Sequence, residues 1–196
     1  MTGEDLRAAG AVVQELFARM PDGAASVPAL GTDVLGVAAH ITSCLTWYAT
    51  DLVAGTAEAT AFELVRQPDA TLAEVLTQLR AATEVLARVV DAAAPQERGF
   101  HSWGLADASG FAAMGCAELL LHAGDAAEGR GLDWTPPPGL AAATRARLFP
   151  WAPAGADPWA ALLWATGRGE LPGRDPVTSW RWHCAPLDEW DGTQPR

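Results

Sequence analysis

The stretch TLAEVLTQLRAATEVLARVV, residues 71–90, indicates the fold class more clearly than any other part of the chain. Thr71 and Glu74 have the spacing of a capping box, in which two side chains satisfy the free backbone N–H groups at the start of a helix. The apolar residues that follow recur with the period of one helix face: Leu72, Val75, Leu76, Leu79, Leu86 and Val89. No metal-binding side chain lies on this stripe, so we interpret the helix as scaffold.

Further segments on both sides of this helix have the same periodicity. Thr32 or Asp33 can cap the second helix of the chain, and glycines end the last long one. These segments are residues 3–20, residues 33–52 and residues 108–128. Four long amphipathic helices predict an all-α fold, a four-helix bundle that occupies residues 1–131.

The composition changes after Gly131. Pro136-Pro137-Pro138 interrupts the chain, and Asp157-Pro158 is typical of a helix start, with Asp as the cap and Pro at the first helical position. The end of the chain is rich in Pro, Gly and Trp. We therefore predict that residues 132–196 form a C-terminal extension of short helices and coil, packed on the bundle and not an independent domain.

Charge and composition argue against several classes of protein. The net charge is −11 and all 13 basic residues are Arg, which argues against binding to nucleic acid or to anionic membrane surfaces. No apolar run reaches membrane-spanning length and the start of the chain lacks the features of a signal peptide, so we expect a cytoplasmic protein. The three Cys are far apart and form no CxxC pair, so neither a disulfide framework nor a thiolate zinc ribbon is indicated.

A candidate metal site comes from two of these helices. Glu118 and His122 are four residues apart, which places them one turn apart on one helix face. With His40 from the second helix they supply two imidazoles and one carboxylate, a ligand set typical of a divalent metal with open coordination positions. Spacing alone favours a surface ion pair or a core histidine. The metal is favoured because the pair shares its face with Phe111 and Met114, where a charge needs a partner.

The ordered motifs around these residues resemble a known family. They are DVLGVAAH (33–40), FHSWG (100–104), ELLLHAGD (118–125) and LLWATGR (162–168). Together, over about residues 3–168, they resemble the mycothiol-dependent maleylpyruvate isomerase family, within the DinB-like superfamily of metal-binding four-helix bundles. The family's metal ligands match His40, Glu118 and His122. The resemblance implies zinc, or nickel or iron, together with a low-molecular-weight thiol such as mycothiol that reacts as a thiolate.

The resemblance leaves the reaction open. Maleylpyruvate isomerases of this family carry a further C-terminal domain, with which the short tail of this chain does not align. We predict an enzyme, a metal-dependent thiol transferase or isomerase acting on a small electrophile, with secondary metabolism as one setting. A metal-dependent hydrolase or lyase of the same fold and a non-catalytic small-molecule-binding bundle are the alternatives. The sequence also leaves open whether the chain forms a homodimer.

Other residues near the motifs receive provisional roles. Asp125 is the predicted catalytic residue, which either holds an imidazole N–H or touches the bound thiol, and an ordinary helix-end carboxylate is its alternative. Trp103 and Arg168 are the predicted cofactor-binding residues, although Trp103 also suits packing over the end of the bundle. His183 is open as a further ligand, and a tail anchored by tryptophans explains it more simply. We interpret Cys44 as a small buried thiol.

The predicted pocket opens beside the metal. We expect the His40 flank of the second helix, the face that carries Phe111 and Met114, and part of the Trp-rich tail to bound it. Apolar walls of this kind suit a small organic electrophile.

Overall fold

A computed structural model describes residues 1–58 and 62–194, so residues 195 and 196 of the predicted extension lie outside the described part. The described residues are mostly helical, as the sequence predicts. The long helices are α1 (Gly3–Ala18), α2 (Val34–Ala54), α3 (Leu72–Ala92) and α4 (Ala108–Gly129), followed by the shorter α5 (Pro138–Leu148) and α6 (Pro158–Ala165). Short 3₁₀ turns cover Pro28–Leu30 and Leu187–Glu189.

Side-chain caps mark the starts of the helices, and those of α2 and α3 were predicted, whereas that of α4 was not. Asp33, one of the two candidates, caps α2 by accepting a 2.7 Å hydrogen bond from the backbone N–H of Gly36. Thr71 and Glu74 form the predicted capping box of α3. Asp107 caps α4 through the N–H of Gly110 at 2.8 Å. These caps fix where α2 and α4 begin, and therefore which residues of each helix meet.

The loop between α1 and α2 contains a feature that the sequence analysis did not predict. Strands β1 (Ser26–Val27) and β2 (Thr32–Asp33) pair antiparallel, with Ser26 opposite Asp33. Gly31 adopts a φ of 63°, which closes the turn between the strands and favours glycine. The resulting ribbon leads the chain directly into the capped start of α2.

Helix α4 lies at the centre of the molecule. The helical wheel predicted one functional face, whereas the structure buries α4 on nearly every side, because α1, α2 and α3 pack on it and α5 packs on it as well. Gly115 shows how close this packing is: a Cβ there would lie 2.7–3.1 Å from side-chain carbons of Leu6, Leu86 and Leu45, one from each neighbouring long helix. Side chains on α4 are therefore held in a rigid core.

The extension covers the start of α4. Arg147 of α5 is 4 % exposed, and it bonds to Asp107 at 2.6 Å and to the backbone carbonyls of His183 and Cys184 at 3.1 and 3.0 Å. One buried guanidinium thus joins α5, the cap of α4 and the tail. The hydrophobic core is continuous between the long helices and this region, since Leu148, Phe149 and Trp182 belong to the same cluster.

Among the described residues, no helix combines the length and apolar character needed to cross a membrane.

Candidate metal centre

The three predicted ligands converge between α2 and α4. One ligand atom from each of His40, Glu118 and His122 can be chosen so that all lie within 4.8 Å of one another, and this group could hold a metal ion. Oε2 of Glu118 lies 3.5 Å from Nε2 of His40 and 3.1 Å from Nε2 of His122. The four-residue spacing on α4 and the direct packing of α2 against α4 together produce this arrangement.

Exposure differs sharply among the ligands. The side chain of His40 is 55 % exposed, whereas those of His122 and Glu118 are 16 % and 10 % exposed. Neighbouring positions on α2, such as Ala38 and Ile41, are fully buried, so His40 stands at the edge of the helix interface. The centre is therefore reached from solvent on the His40 side.

A carboxylate and a guanidinium lie on the Nδ1 side of His122, opposite the nitrogen that faces Glu118. Nδ1 of His122 lies 3.1 Å from Oδ2 of Asp125, which is 7 % exposed. The guanidinium of Arg168 donates two hydrogen bonds to the same carboxylate, from Nε to Oδ1 at 3.0 Å and from Nη2 to Oδ2 at 3.1 Å. Since Asp125 is ionised, Nδ1 carries a proton and donates it to Oδ2, and Nε2 is the atom that faces Glu118. This places Asp125 and Arg168 behind the imidazole, in contact with each other.

Glu118 is held at one oxygen and free at the other. The hydroxyl of Tyr48, on α2, donates a 3.0 Å hydrogen bond to Oε1. Among the described residues Oε2 is buried and has no hydrogen-bond partner, and its contacts with Nε2 of His122 and of His40 are ion-pair contacts at 3.1 and 3.5 Å. A buried carboxylate oxygen without a partner is costly. A cation between Oε2 and the two Nε2 atoms would satisfy it.

The distances between these atoms suit a small divalent ion. Bonds of about 2.0–2.1 Å at tetrahedral angles place neighbouring N and O ligands about 3.3 Å apart. The N–O separations of 3.1 and 3.5 Å lie on both sides of that value. The donor set and these two separations therefore fit a divalent metal ion.

The pKa values describe a tightly paired cluster. Burial alone would raise the pKa of Glu118, but the imidazoles of His122 and His40 hold it well below its usual value. Burial also opposes the shift of His122, yet the hydrogen bond to Asp125 and the Glu118 carboxylate raise the pKa of His122 to about 9. Despite burial, His122 and Arg168 lower the pKa of Asp125. In the metal-free protein, a proton on His122 balances part of the negative charge.

Cys44 lies beside the centre, one turn after His40. Its Sγ is 3.6 Å from Nε2 of His40, the same nitrogen that faces Glu118. Burial, followed by the negative charge of Glu118, raises the pKa of the Cys44 thiol well above its usual value. The Cys44 side chain is half-buried. Its pKa nevertheless responds to the negative charge of Glu118.

An aromatic group occupies the neighbouring part of the molecule. Trp103 contacts His101, Trp180 and Trp182, with ring centroids 5.6, 5.4 and 4.6 Å away. Of these three residues, His101 also lies near the centre, because its ring centroid is 6.0 Å from that of Tyr48. The contacts of Trp103 are thus with the tail and with its own loop.

His183 and the core aromatics have other surroundings. Nε2 of His183 lies 3.1 Å from the carbonyl of Pro186, within the tail, and His183 is not part of the ligand group. Phe111 and Met114 are fully buried and belong to the core. The prediction that they line an open pocket is therefore wrong. The physical reason is that α4 is packed on nearly every side, so the face that carries Phe111 and Met114 lies against neighbouring helices.

A cavity of about 380 Å³ lies between α2, α3 and the segment 64–67. Its wall on α2 includes Ala39 and Ser43, each adjacent in sequence to a residue of the centre, but neither His40 nor Cys44 lines it. This space therefore lies on the adjoining face of α2.

Tyr48 is the functional residue that sequence reasoning missed. Its residue type suits the apolar face of the second helix and we predicted no role for it, although it follows His40 and Cys44 at four-residue intervals. A buried tyrosine hydroxyl needs a polar partner, so the spacing from His40 was the available signal.

No protein-family model, curated protein or solved structure matches the chain.

Proposed function

We propose that this chain is a metal-dependent enzyme of the DinB-like superfamily that uses a low-molecular-weight thiol, with mycothiol as the first candidate, on a small electrophilic substrate. One observation carries the proposal: the buried, unpartnered Oε2 of Glu118 faces Nε2 of His40 and of His122. The motif resemblance supports it, because the same three positions match the family's ligands.

In this proposal His40, Glu118 and His122 hold the divalent cation, with zinc as the first candidate and nickel or iron as alternatives. When bound, the cation would supply Lewis acidity that lowers the pKa of a thiol or a water molecule at neutral pH. Three protein ligands leave a position for an external sulfur. The open side at His40 gives that sulfur and the electrophile a route to the centre.

The remaining residues position these ligands. Asp125 keeps the proton of His122 on Nδ1 and so keeps Nε2 aimed at the cation. Arg168 holds Asp125, which makes it a positioning residue in this proposal, although the sequence analysis assigned it to cofactor binding. Tyr48 fixes the rotation of the Glu118 carboxylate. Trp103 remains a proposed wall of the thiol site through its contact with His101.

The test begins with elemental analysis of the purified chain, followed by conjugation assays with mycothiol and a panel of electrophiles, with and without zinc. We expect one bound metal per chain and zinc-dependent consumption of the thiol. The matched control is His40→Ala, which removes a ligand from the exposed edge and leaves the core intact.

Other results would point to the alternatives. Zinc-dependent turnover of an ester or amide without thiol would replace the proposal with a hydrolase or lyase. Bound zinc without turnover across the panel would favour the small-molecule-binding bundle. A chain that takes up no metal would end all the metal-dependent functions.

A further inference from the structure

A group of hydroxyls on α2 lines the cavity between α2, α3 and the segment 64–67. Thr42 and Ser43 are followed one turn later by Thr46, so the three hydroxyls lie close together on one side of the helix. The cavity volume of about 380 Å³ falls within the range of small-molecule sites, about 300–1,000 Å³. None of the three candidate metal ligands lines this cavity, so it is a site of its own.

Each of these hydroxyls donates its proton to the backbone of α2 itself. Thr42 donates to the carbonyl of Ala38 at 2.7 Å. Ser43 donates to Ala39 at 3.1 Å, and Thr46 donates to Thr42 at 2.8 Å. A hydroxyl has one proton and two lone pairs, so each oxygen keeps only the capacity to accept. This wall of the cavity therefore offers a ligand lone pairs and no protons.

Apolar side chains face the cavity from α3 and from the segment 64–67. Val75 of α3 is buried, whereas Leu64 and Val65 are 45 % and 77 % exposed although they line the cavity. An apolar body seated there would remove this surface from water, which is favourable. The cavity therefore suits a ligand that combines an apolar part with hydrogen-bond donors.

Two exposed charged side chains, one of each sign, also line the cavity. Glu74 receives both hydrogen bonds of the capping box on Oε2, so its Oε1 keeps acceptor capacity. The hydrogen bond from Arg66 to the carbonyl of Gln67 is 3.4 Å long, and the exposed guanidinium is solvated. Since these two charges offset each other, the acceptor wall on α2 and the net charge of −11 decide, and both favour a cation.

We propose that this cavity binds a small primary amine with an apolar chain. An ammonium group has three donors and no acceptor, so it matches the three hydroxyl oxygens, while the chain covers Leu64 and Val65. An alcohol brings one donor and no charge, and a carboxylate brings only acceptors to a wall of acceptors. The inference goes beyond the proposed function, because it assigns a second site that needs no metal.

The test compares three probes of one chain length in the full protein: hexylammonium, 1-hexanol and hexanoate, each titrated by isothermal calorimetry. We expect hexylammonium to bind most tightly and hexanoate most weakly. Thr46→Val keeps the size of the side chain and removes its oxygen. Its affinity for hexylammonium should fall by about tenfold, because a hydrogen bond to a charged group is among the stronger ones. Ser43→Ala should act in the same direction.

Thr77→Val is the matched control. Thr77 also donates its hydroxyl proton to the carbonyl four residues earlier, that of Ala73, at 2.9 Å. It is exposed on α3 and does not line the cavity, so its replacement should leave the affinity for hexylammonium unchanged. Circular dichroism checks that each variant is folded.

Several outcomes would overturn the inference. Binding of 1-hexanol or hexanoate as tightly as hexylammonium would rule out selection of an amine. No saturable binding of hexylammonium to the wild type, or an equal loss in Thr46→Val and Thr77→Val, would rule out the site.

Titrations with zinc present and after chelation separate this inference from the proposed function. We expect the same affinity for hexylammonium in both. Binding that disappears on chelation would assign the amine to the metal centre and overturn the cavity site. A chain that takes up no zinc yet binds hexylammonium with the expected selectivity would contradict the proposed function and support the amine site.

Discussion

Glu118 and His122 stand on α4, which is buried nearly all round, whereas His40 and Cys44 stand on a partly exposed edge of α2. We call the first pair and its supports, Tyr48, Asp125 and Arg168, the buried half of the centre. The second pair is the open half. Each ligand of the buried half is held by a second side chain, whereas within the described residues the side chain of His40 contacts Cys44, Glu118 and His122.

The comparison indicates a division of labour. The buried half sets the position of the cation in advance, since its hydrogen bonds fix the ligand orientations before anything binds. In the proposed function His40 would complete the coordination, and the open half would admit the substrate. Substitutions in the two halves should therefore have different effects on the free energy of unfolding, even where their effects on metal binding are the same.

The largest effect separates the halves most directly. His40→Ala and His122→Ala should both abolish stoichiometric zinc binding, because each removes one of three nitrogen or carboxylate ligands. Only His122→Ala should also lower the free energy of unfolding of the metal-free protein, by about 1–3 kcal/mol, since it leaves the buried Glu118 and Asp125 without the imidazole. Zinc stoichiometry and urea denaturation measure the two effects.

Equal destabilisation by the two variants would break the comparison. Zinc bound at full stoichiometry by His122→Ala would contradict the metal site itself. Val85→Ala is a suitable control, because Val85 is a 51 % exposed residue of α3 and should change neither quantity by a measurable amount.

Much of this arrangement was accessible from the sequence. The capping box at Thr71 and the cap at Asp33 are local signals, and they predict the helix starts because they involve residues only three positions apart. The spacing of Glu118 and His122 likewise predicts one shared face. The convergence of His40 on that pair required the packing of α2 against α4, which the motif resemblance implied and periodicity alone did not.

The buried character of α4 was harder to predict. Its small residues, such as Gly115, accept neighbours on several sides, and a helical wheel of one element cannot show how many neighbours there are. The pairing of Arg168 with Asp125 joins residues 43 positions apart. Such long-range pairs depend on the tertiary fold, so the sequence placed both residues near the site without revealing that they bind each other.

Asp125→Asn should give the next largest loss of zinc affinity, and it tests whether the buried half orients its ligands. An amide in place of the carboxylate loses the charge that fixes the His122 proton on Nδ1, so zinc affinity should fall by about 10–100-fold. Competition titration against a chelator of known affinity measures it. Asp51→Asn on α2 is the matched control, since among the described residues Asp51 is not part of the ligand group. An unchanged affinity in Asp125→Asn would show that the carboxylate does not support the ligand.

The pH dependence of zinc binding follows from the same contact. In the metal-free protein the pKa of His122 is about 9, raised from 6.5, so the imidazole is protonated at pH 7. Zinc must displace that proton, and its affinity should therefore rise by about tenfold per pH unit up to pH 9. Because the pKa of His122 is higher in the folded than in the unfolded chain, protonation of His122 stabilises the metal-free fold. This contribution is complete below pH 6.5 and disappears as the pH rises through 9.

Calorimetry in buffers of different ionisation enthalpy counts the protons released when zinc binds. We expect the release from the wild type at pH 7.5 to exceed that from Asp125→Asn by a clear fraction of one proton, because the variant lowers the pKa of His122. Equal proton release from the two proteins would mean that Asp125 does not set the protonation of the ligand.

The smallest effect probes the contact by which α2 supports the buried half. Tyr48→Phe removes only the hydroxyl that donates to Oε1 of Glu118, while the ring keeps its place 6.0 Å from Phe111. Losing this one supporting hydrogen bond leaves all three ligands in place, so zinc affinity should fall by about tenfold, the low end of the range for such a partner, and stoichiometry should stay at one. Because the carboxylate then rotates more freely, the loss should appear mainly as faster zinc release in stopped-flow chelation. A Tyr48→Phe protein that releases zinc at the wild-type rate would show that the packing of α4 alone orients Glu118, and the buried half would then owe nothing to α2.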